Sequence, residues 1–222
     1  MNNFNKIVIG TAQFGLNYGV ANKTGEVNNK EIETILDLCK ENDINTLDTA
    51  SNYGNSQKKI GNYLNNNSSY NWDVITKVNN GTDINAQIEF SISNLGITPN
   101  TVLAHYANDY INLEFNKNLF KLKQKYGVDK IGVSVYNKNE IKQILEFGKP
   151  DVIQCPINIL DTRLYKKGFL KKVSKEGIEI HARSIFLQGL LYLPNEKIRR
   201  FFPDAYEKVK MLKAIASKSN IS

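Results

Sequence analysis

Seven short apolar runs alternate with longer helix-patterned stretches, and this alternation constrains the fold more than any other feature of the chain. The runs are Lys6–Gly10 (KIVIG), Ile44–Asp48 (INTLD), Val74–Val78 (VITKV), Thr101–His105 (TVLAH), Lys130–Val135 (KIGVSV), Val152–Pro156 (VIQCP) and Ile178–Arg183 (IEIHAR). Each is rich in Val, Ile or Leu, the composition of strands buried on both faces of a parallel sheet. Between them, Asn28–Glu41 spaces Ile32, Ile35, Leu36 and Leu38 as one helix face behind an Asn start. Ile84–Leu95 follows Asp83, an N-cap residue, and Lys138–Phe147 ends at Gly148 with Pro150 beyond it. Successive runs lie roughly 30 residues apart, the length of a βα unit. Seven strands with helices between them exclude a small sandwich and leave a parallel barrel or a doubly wound sheet.

No Pro/Gly/Ser-rich linker divides the chain, and its 222 residues suit one domain over 1–222. Asn65–Ser69 reads as a polar loop, and Leu193–Asp204 as a longer irregular connection containing Pro194 and Pro203. Ala205–Ser217 reads as the start of a helix. No eighth strand follows, so a barrel here is expected to be incomplete, with about seven βα units.

Several function classes drop out on simple counts. The 29 Lys+Arg against 22 Asp+Glu give a formal charge of +7, which invites a nucleic-acid reading. The basic residues are scattered, however: Lys58 and Lys59, then Lys121, Lys123 and Lys125, then Lys166, Lys167, Lys171, Lys172 and Lys175 fall on separate predicted helices. They read as solvated helix faces, and no nucleic-acid partner is expected. The absence of any run of about 18 apolar residues excludes a membrane-spanning helix. The opening MNNFNKIVIG lacks a charged segment followed by an apolar one, so the expected location is the cytoplasm. Cys39 and Cys155, the two cysteines, read as buried free thiols. His181 has no Cys/His cluster around it, and no metal site is expected. Gly15, Gly19 and Gly54 do not make a dinucleotide-binding glycine fingerprint.

Four polar residues stand at or just beyond the ends of three successive strands. Asp48 ends INTLD, Tyr53 follows in the loop ASNYG, Lys77 lies near the end of the third run, and His105 closes TVLAH. A buried strand has little reason to finish in a charged residue without a partner. The strand C-termini of a barrel converge on one face, so the four residues would meet there. Their chemistry is complementary. Tyrosine titrates near 10, and a lysine ammonium about 4 Å away, at an effective dielectric near 20, lowers that by at most about 3 units. Asp48 would hold Lys77 charged and oriented, and His105 would donate to a substrate carbonyl or relay a proton. A tyrosine that protonates a carbonyl oxygen performs half of a carbonyl reduction. No side chain supplies the other half, a hydride, so a nicotinamide cofactor is implied.

Each residue alone has an ordinary reading: Asp48 a turn residue, Tyr53 a rim aromatic, Lys77 a snorkelling lysine, His105 a satisfied core histidine. Jointly they favour catalysis. At this point the chain resembles an aldo-keto reductase. The resemblance runs from GTAQFGLNYG (Gly10–Gly19) through LDTASNYGNSQKKIG (Leu47–Gly61), ITK, LAH, IGVSVYN (Ile131–Asn137) and VIQCPINILD (Val152–Asp161) to RSIFLQGLL (Arg183–Leu191). It implies a (β/α)8 barrel with Asp48, Tyr53, Lys77 and His105 as the catalytic tetrad. It also implies NADPH, with NADH as the alternative cofactor, and a small carbonyl or alcohol substrate, sugars included.

Gly10 and Thr11 would line the nicotinamide end, Asp48 would adjoin it, and Ser134 and Gln154 would bond the carboxamide. Arg183 stands where many members of that family place a stacking aromatic. Ser184, Leu187 and Gln188 would lie along the cofactor path, and Tyr18 could enter the substrate pocket. The family's adenosine-binding segment follows an eighth strand that this chain does not include. The alternative to an enzyme is therefore a non-catalytic relative that uses the barrel face for binding or regulation.

Overall fold

The structure, a computed structural model, describes residues 6–219. Seven parallel strands form one sheet in sequence order: β1 (Val8–Gly10), β2 (Thr46–Asp48), β3 (Asp73–Val78), β4 (Thr101–Ala104), β5 (Lys130–Ser134), β6 (Val152–Pro156) and β7 (Glu179–Arg183). Neighbouring strands pair in parallel throughout, and the sheet curls into an incomplete (β/α)8 barrel. Among the described residues the helices are α1 (Ala12–Gly15), α2 (Asn29–Glu41), α3 (Ser56–Asn66), α4 (Ile84–Leu95) and α5 (Ala107–Tyr110). They continue with α6 (Leu113–Tyr126), α7 (Lys138–Phe147), α8 (Phe169–Lys175), α9 (Asn195–Phe201) and α10 (Pro203–Lys218).

Local chemistry accounts for the helix bounds. The side chains of Asn28, Asp83, Asn112 and Asn137 accept from first-turn amides of α2, α4, α6 and α7, satisfying donors that the helix itself cannot. Gly96 ends α4 and Gly127 ends α6 in the left-handed conformation that glycine adopts without penalty. The helices bury one face each, as with Ile32, Leu36 and Cys39 of α2.

Strand alternation divides the core into layers. Leu47 and Val74 pack outward against α2 and α3 in one cluster. Val78, Val102, Ala104, Ile131, Val133, Ile153 and Cys155 pack outward against the later helices in another. Ile75, Leu103 and Val152 form a small separate cluster on the inner side of the sheet. Both thiols are free and buried, and burial pushes each upward, Cys155 to about 11. Trp72 is buried in edge contact with Tyr63 and Tyr70, a packing residue.

Several sequence expectations need correction. The first two strands are shorter than the apolar runs, and His105 lies just past β4. The outermost strands β1 and β7 are not buried on both faces, since each pairs on one side only among the described residues. Leu193–Asp204 is not irregular, because it contains α9. Pro203 does not interrupt but starts α10, two residues before the helix expected from Ala205, since proline fits the first helical position. No helix among the described residues is long and apolar enough to cross a membrane. Among the same residues no group of three His, Cys, Asp or Glu could hold a metal ion.

Candidate active site

The alternation that sends Leu47, Val74 and Val102 outward sends their neighbours inward, and register then lines these up. Gly10 pairs with Asp48, Lys77 with Leu103, Ser134 with Gln154, and Pro156 with Arg183. The inner residues nearest the strand C-termini are thus Gly10, Asp48, Lys77, Ser134, Gln154 and Arg183, with His105 one step past β4. Below them sit Ile75, Leu103 and Val152. Those three make an apolar layer directly beneath a polar mouth, and the candidate site is that mouth.

An ion pair anchors it. Lys77 Nζ donates to Asp48 Oδ1 at 2.5 Å and to the Thr49 carbonyl at 2.9 Å. Lys77 is 3% exposed, so its charge has little water and depends on these acceptors. The same ammonium lies 5.1 Å from the centroid of the Tyr53 ring. Gln154 donates its amide to Asp48 Oδ2 at 3.2 Å. His105 stacks on Tyr106 at 4.8 Å. Burial foremost, then the Lys77 charge, push the His105 imidazole down to about 4, leaving it neutral at pH 7.

Backbone and hydroxyl contacts position the loop that carries Tyr53. Thr11 Oγ1 donates to the Asp48 carbonyl at 3.0 Å. Ser56 Oγ lies 3.0 Å from the Thr11 carbonyl and 3.2 Å from Thr49 Oγ1. The Ser56 amide donates to the Tyr53 carbonyl at 3.0 Å, which closes the turn. Thr49 and Ser56 are fully buried and escaped the sequence reading. Both stand inside LDTASNYGNS, which also carries Ser51 and Tyr53, so nothing local marks them as the buried pair.

Arg183 crosses the end of β6. Its Nη2 donates to the Val135 carbonyl at 3.2 Å, and its guanidinium carbon stands 4.3 Å over the Tyr136 ring. Tyr136 was not singled out from sequence. Burial, followed by neighbouring Tyr53, raises the Tyr18 hydroxyl above its ordinary range. After β7, Ser184, Leu187 and Gln188 all have positive φ, at 60°, 51° and 55°. Three such non-glycine residues in one loop mark backbone held by its surroundings. One holding contact is the Ala21 amide on the Gln188 carbonyl. Leu187 packs toward the cluster of Leu190, Leu193 and Ile198. Gly10 faces open space, since an added Cβ would meet nothing within 4 Å.

The profile of the Aldo/keto reductase family matches residues 6–222. Among solved structures, the glycerol dehydrogenase AKR11B4 from Gluconobacter oxydans superposes with a TM-score of 0.73 at 23% identity, over 98% of this chain and 76% of its own. The aldo-keto reductase AKR11C1 from Bacillus halodurans, in its holo form, gives 0.68 at 22% identity, over 84% of this chain and 64% of its own. An aldo-keto reductase from Klebsiella pneumoniae in complex with NADPH gives 0.67 at 14% identity, over 85% of this chain and 69% of its own. At these identities the likeness is one of fold. No curated protein sequence matches the chain.

Proposed function

Since the chain belongs to the aldo/keto reductase family, we propose that it is an NADPH-dependent oxidoreductase that reduces a small aldehyde or ketone, or oxidises the alcohol. The family and the structural neighbours support an oxidoreductase. The observation that carries the finer reading is the buried Lys77–Asp48 pair at 2.5 Å with its ammonium beside the Tyr53 ring.

The inner face suits a nicotinamide. Gln154 Oε1 is buried without a partner among the described residues, an acceptor of the kind a carboxamide N–H requires. Ser134 is its buried register neighbour, and Gly10 leaves room above Asp48. Gly10, Thr11, Ser134 and Gln154 would hold the nicotinamide end, with Ser184 and Leu187 along the remainder of the cofactor. When bound, the cofactor supplies the hydride that no side chain provides. Tyr53 gives its hydroxyl proton to the carbonyl oxygen, and the Lys77 ammonium stabilises the phenolate left behind. Asp48 holds the Lys77 ammonium in place. Neutral His105 donates one N–H to the carbonyl oxygen and so orients the substrate. The buried free thiols Cys39 and Cys155 suit a reducing, cytoplasmic setting.

Replacing Tyr53 with Phe removes the proton and leaves the ring. With NADPH and an aldehyde panel, turnover should fall by about 10²–10⁴-fold, the usual worth of a positioned acid. NADPH affinity, read by fluorescence titration, should change little. A Tyr53→Phe protein that turns over at the wild-type rate would refute the role.

A further inference from the structure

Charge balance in the cleft leaves one cation over. Lys77 is matched by Asp48. His105 is neutral at pH 7. Tyr18, its hydroxyl held above the ordinary range by burial, carries no charge there. Arg183 takes part in none of the ion pairs among the described residues, whereas Arg163, out on the surface, is held by both oxygens of Asp161. The Arg183 side chain is half-buried with Nε unpartnered, and its contacts are a carbonyl, an aromatic face and a distant Ser184 hydroxyl at 3.4 Å. None of these neutralises it. A guanidinium removed from water without a carboxylate is costly, and an anion with two oxygens is the partner its planar fork fits. The Val135 carbonyl and the Tyr136 ring hold it at the mouth of the cleft, above the Ser134–Gln154 floor.

We propose that Arg183 is a specificity-determining residue that selects carbonyl substrates bearing an anionic group, a carboxylate or a phosphate. The inference rests on the oxidoreductase reading and adds the substrate class. The carbonyl is presented to Tyr53 and His105, while the anionic group turns toward Arg183 between Tyr18 and Tyr136. Arg183 fits this task better than a lysine would, because stacking on Tyr136 orients its plane before the ligand arrives.

The test compares 4-carboxybenzaldehyde with benzaldehyde as substrates of the full chain with NADPH. In the wild type, kcat/KM should favour the charged aldehyde by about tenfold to a hundredfold, the worth of a charge-assisted bond. Arg183→Gln should erase that ratio mainly through KM, and Arg183→Lys should keep part of it. The same ratio in wild type and Arg183→Gln overturns the proposal. So does a loss of NADPH affinity in Arg183→Gln with the ratio intact, which would assign the guanidinium to the cofactor's phosphates. If the wild type reduces none of an aldehyde and ketone panel and oxidises none of the matching alcohols, the oxidoreductase reading fails; in that case, or where only these two aldehydes are refused, recognition is read directly by saturation-transfer NMR with benzoate and benzamide. Binding of benzoate alone, lost in Arg183→Gln, supports anion selection; equal binding of both, or of neither, overturns it.

Discussion

Burial and the nearby Lys77 ammonium lower His105 from 6.5 to about 4, and this has a consequence for stability. The unfolded chain takes up the proton near pH 6.5, the folded chain only near pH 4. The contribution of the neutral ring is therefore whole above pH 6.5 and is lost as pH falls toward 4. It amounts to at most about 3 kcal/mol, less after solvent screening at a partly exposed ring. His105→Gln should lose less stability than the wild type between about pH 7.5 and about pH 5 in urea titrations. Equal losses would show that other groups carry the acid sensitivity. At this scale the grouping of Asp48, Lys77 and His105 was legible in the sequence because polar residues at the ends of apolar runs are conspicuous. The protonation state of His105 was not legible, since desolvation depends on neighbours brought in by folding. The same holds for the stack of Arg183 on Tyr136: β6 separates the strands that carry the two residues.

Between elements, two glycines bring the loop that carries Tyr53 against α1. A Cβ on Gly15 would overlap the Tyr53 carbonyl and the Ser56 amide, and a Cβ on Gly54 would overlap the Gly15 carbonyl. Gly54 also sits at φ 51°, where a side chain is strained. Gly61 provides a matched control, because its Cβ would overlap the Asn94 carbonyl where α3 crosses α4 rather than the Tyr53 loop. Gly15→Ala and Gly61→Ala should each cost about 1–3 kcal/mol by overpacking. Gly15→Ala alone should also cut kcat on the order of 10²-fold by displacing Tyr53. If both variants kept full kcat, Gly15 would have a packing role only. Helix bounds were legible because caps are local: Asn28, Asp83 and Asn137 sit beside the amides they satisfy. Helix α9 was missed because Pro194 and Pro203 flank it and resemble loop punctuation, although proline also opens helices.

Across the whole molecule, the sheet is firm in its middle and open at its sides. Every residue of β4 is buried, while β1 and β7 are partly exposed along their length. Native-state hydrogen exchange should find the β3–β5 amides slowest and those of β1 and β7 faster by about 10²-fold or more. Uniform protection across all seven strands would contradict a sheet held chiefly from its centre. By itself the sequence determined the order of elements, the parallel βα architecture and the identity of the polar strand ends. Periodicity and capping act over a few residues and can be read one segment at a time. Only the tertiary structure decided which side chains share a face. Register sets Gly10 beside Asp48 and Gln154 beside Ser134, and alternation turns them inward with Lys77 and Arg183. Register depends on long-range pairing, and so do the charge left over at Arg183, the neutrality of His105 and the buried acceptor at Gln154. Each is a property of a residue's neighbours in space, which the linear chain holds far apart, Asp48 from Gln154 by 106 positions.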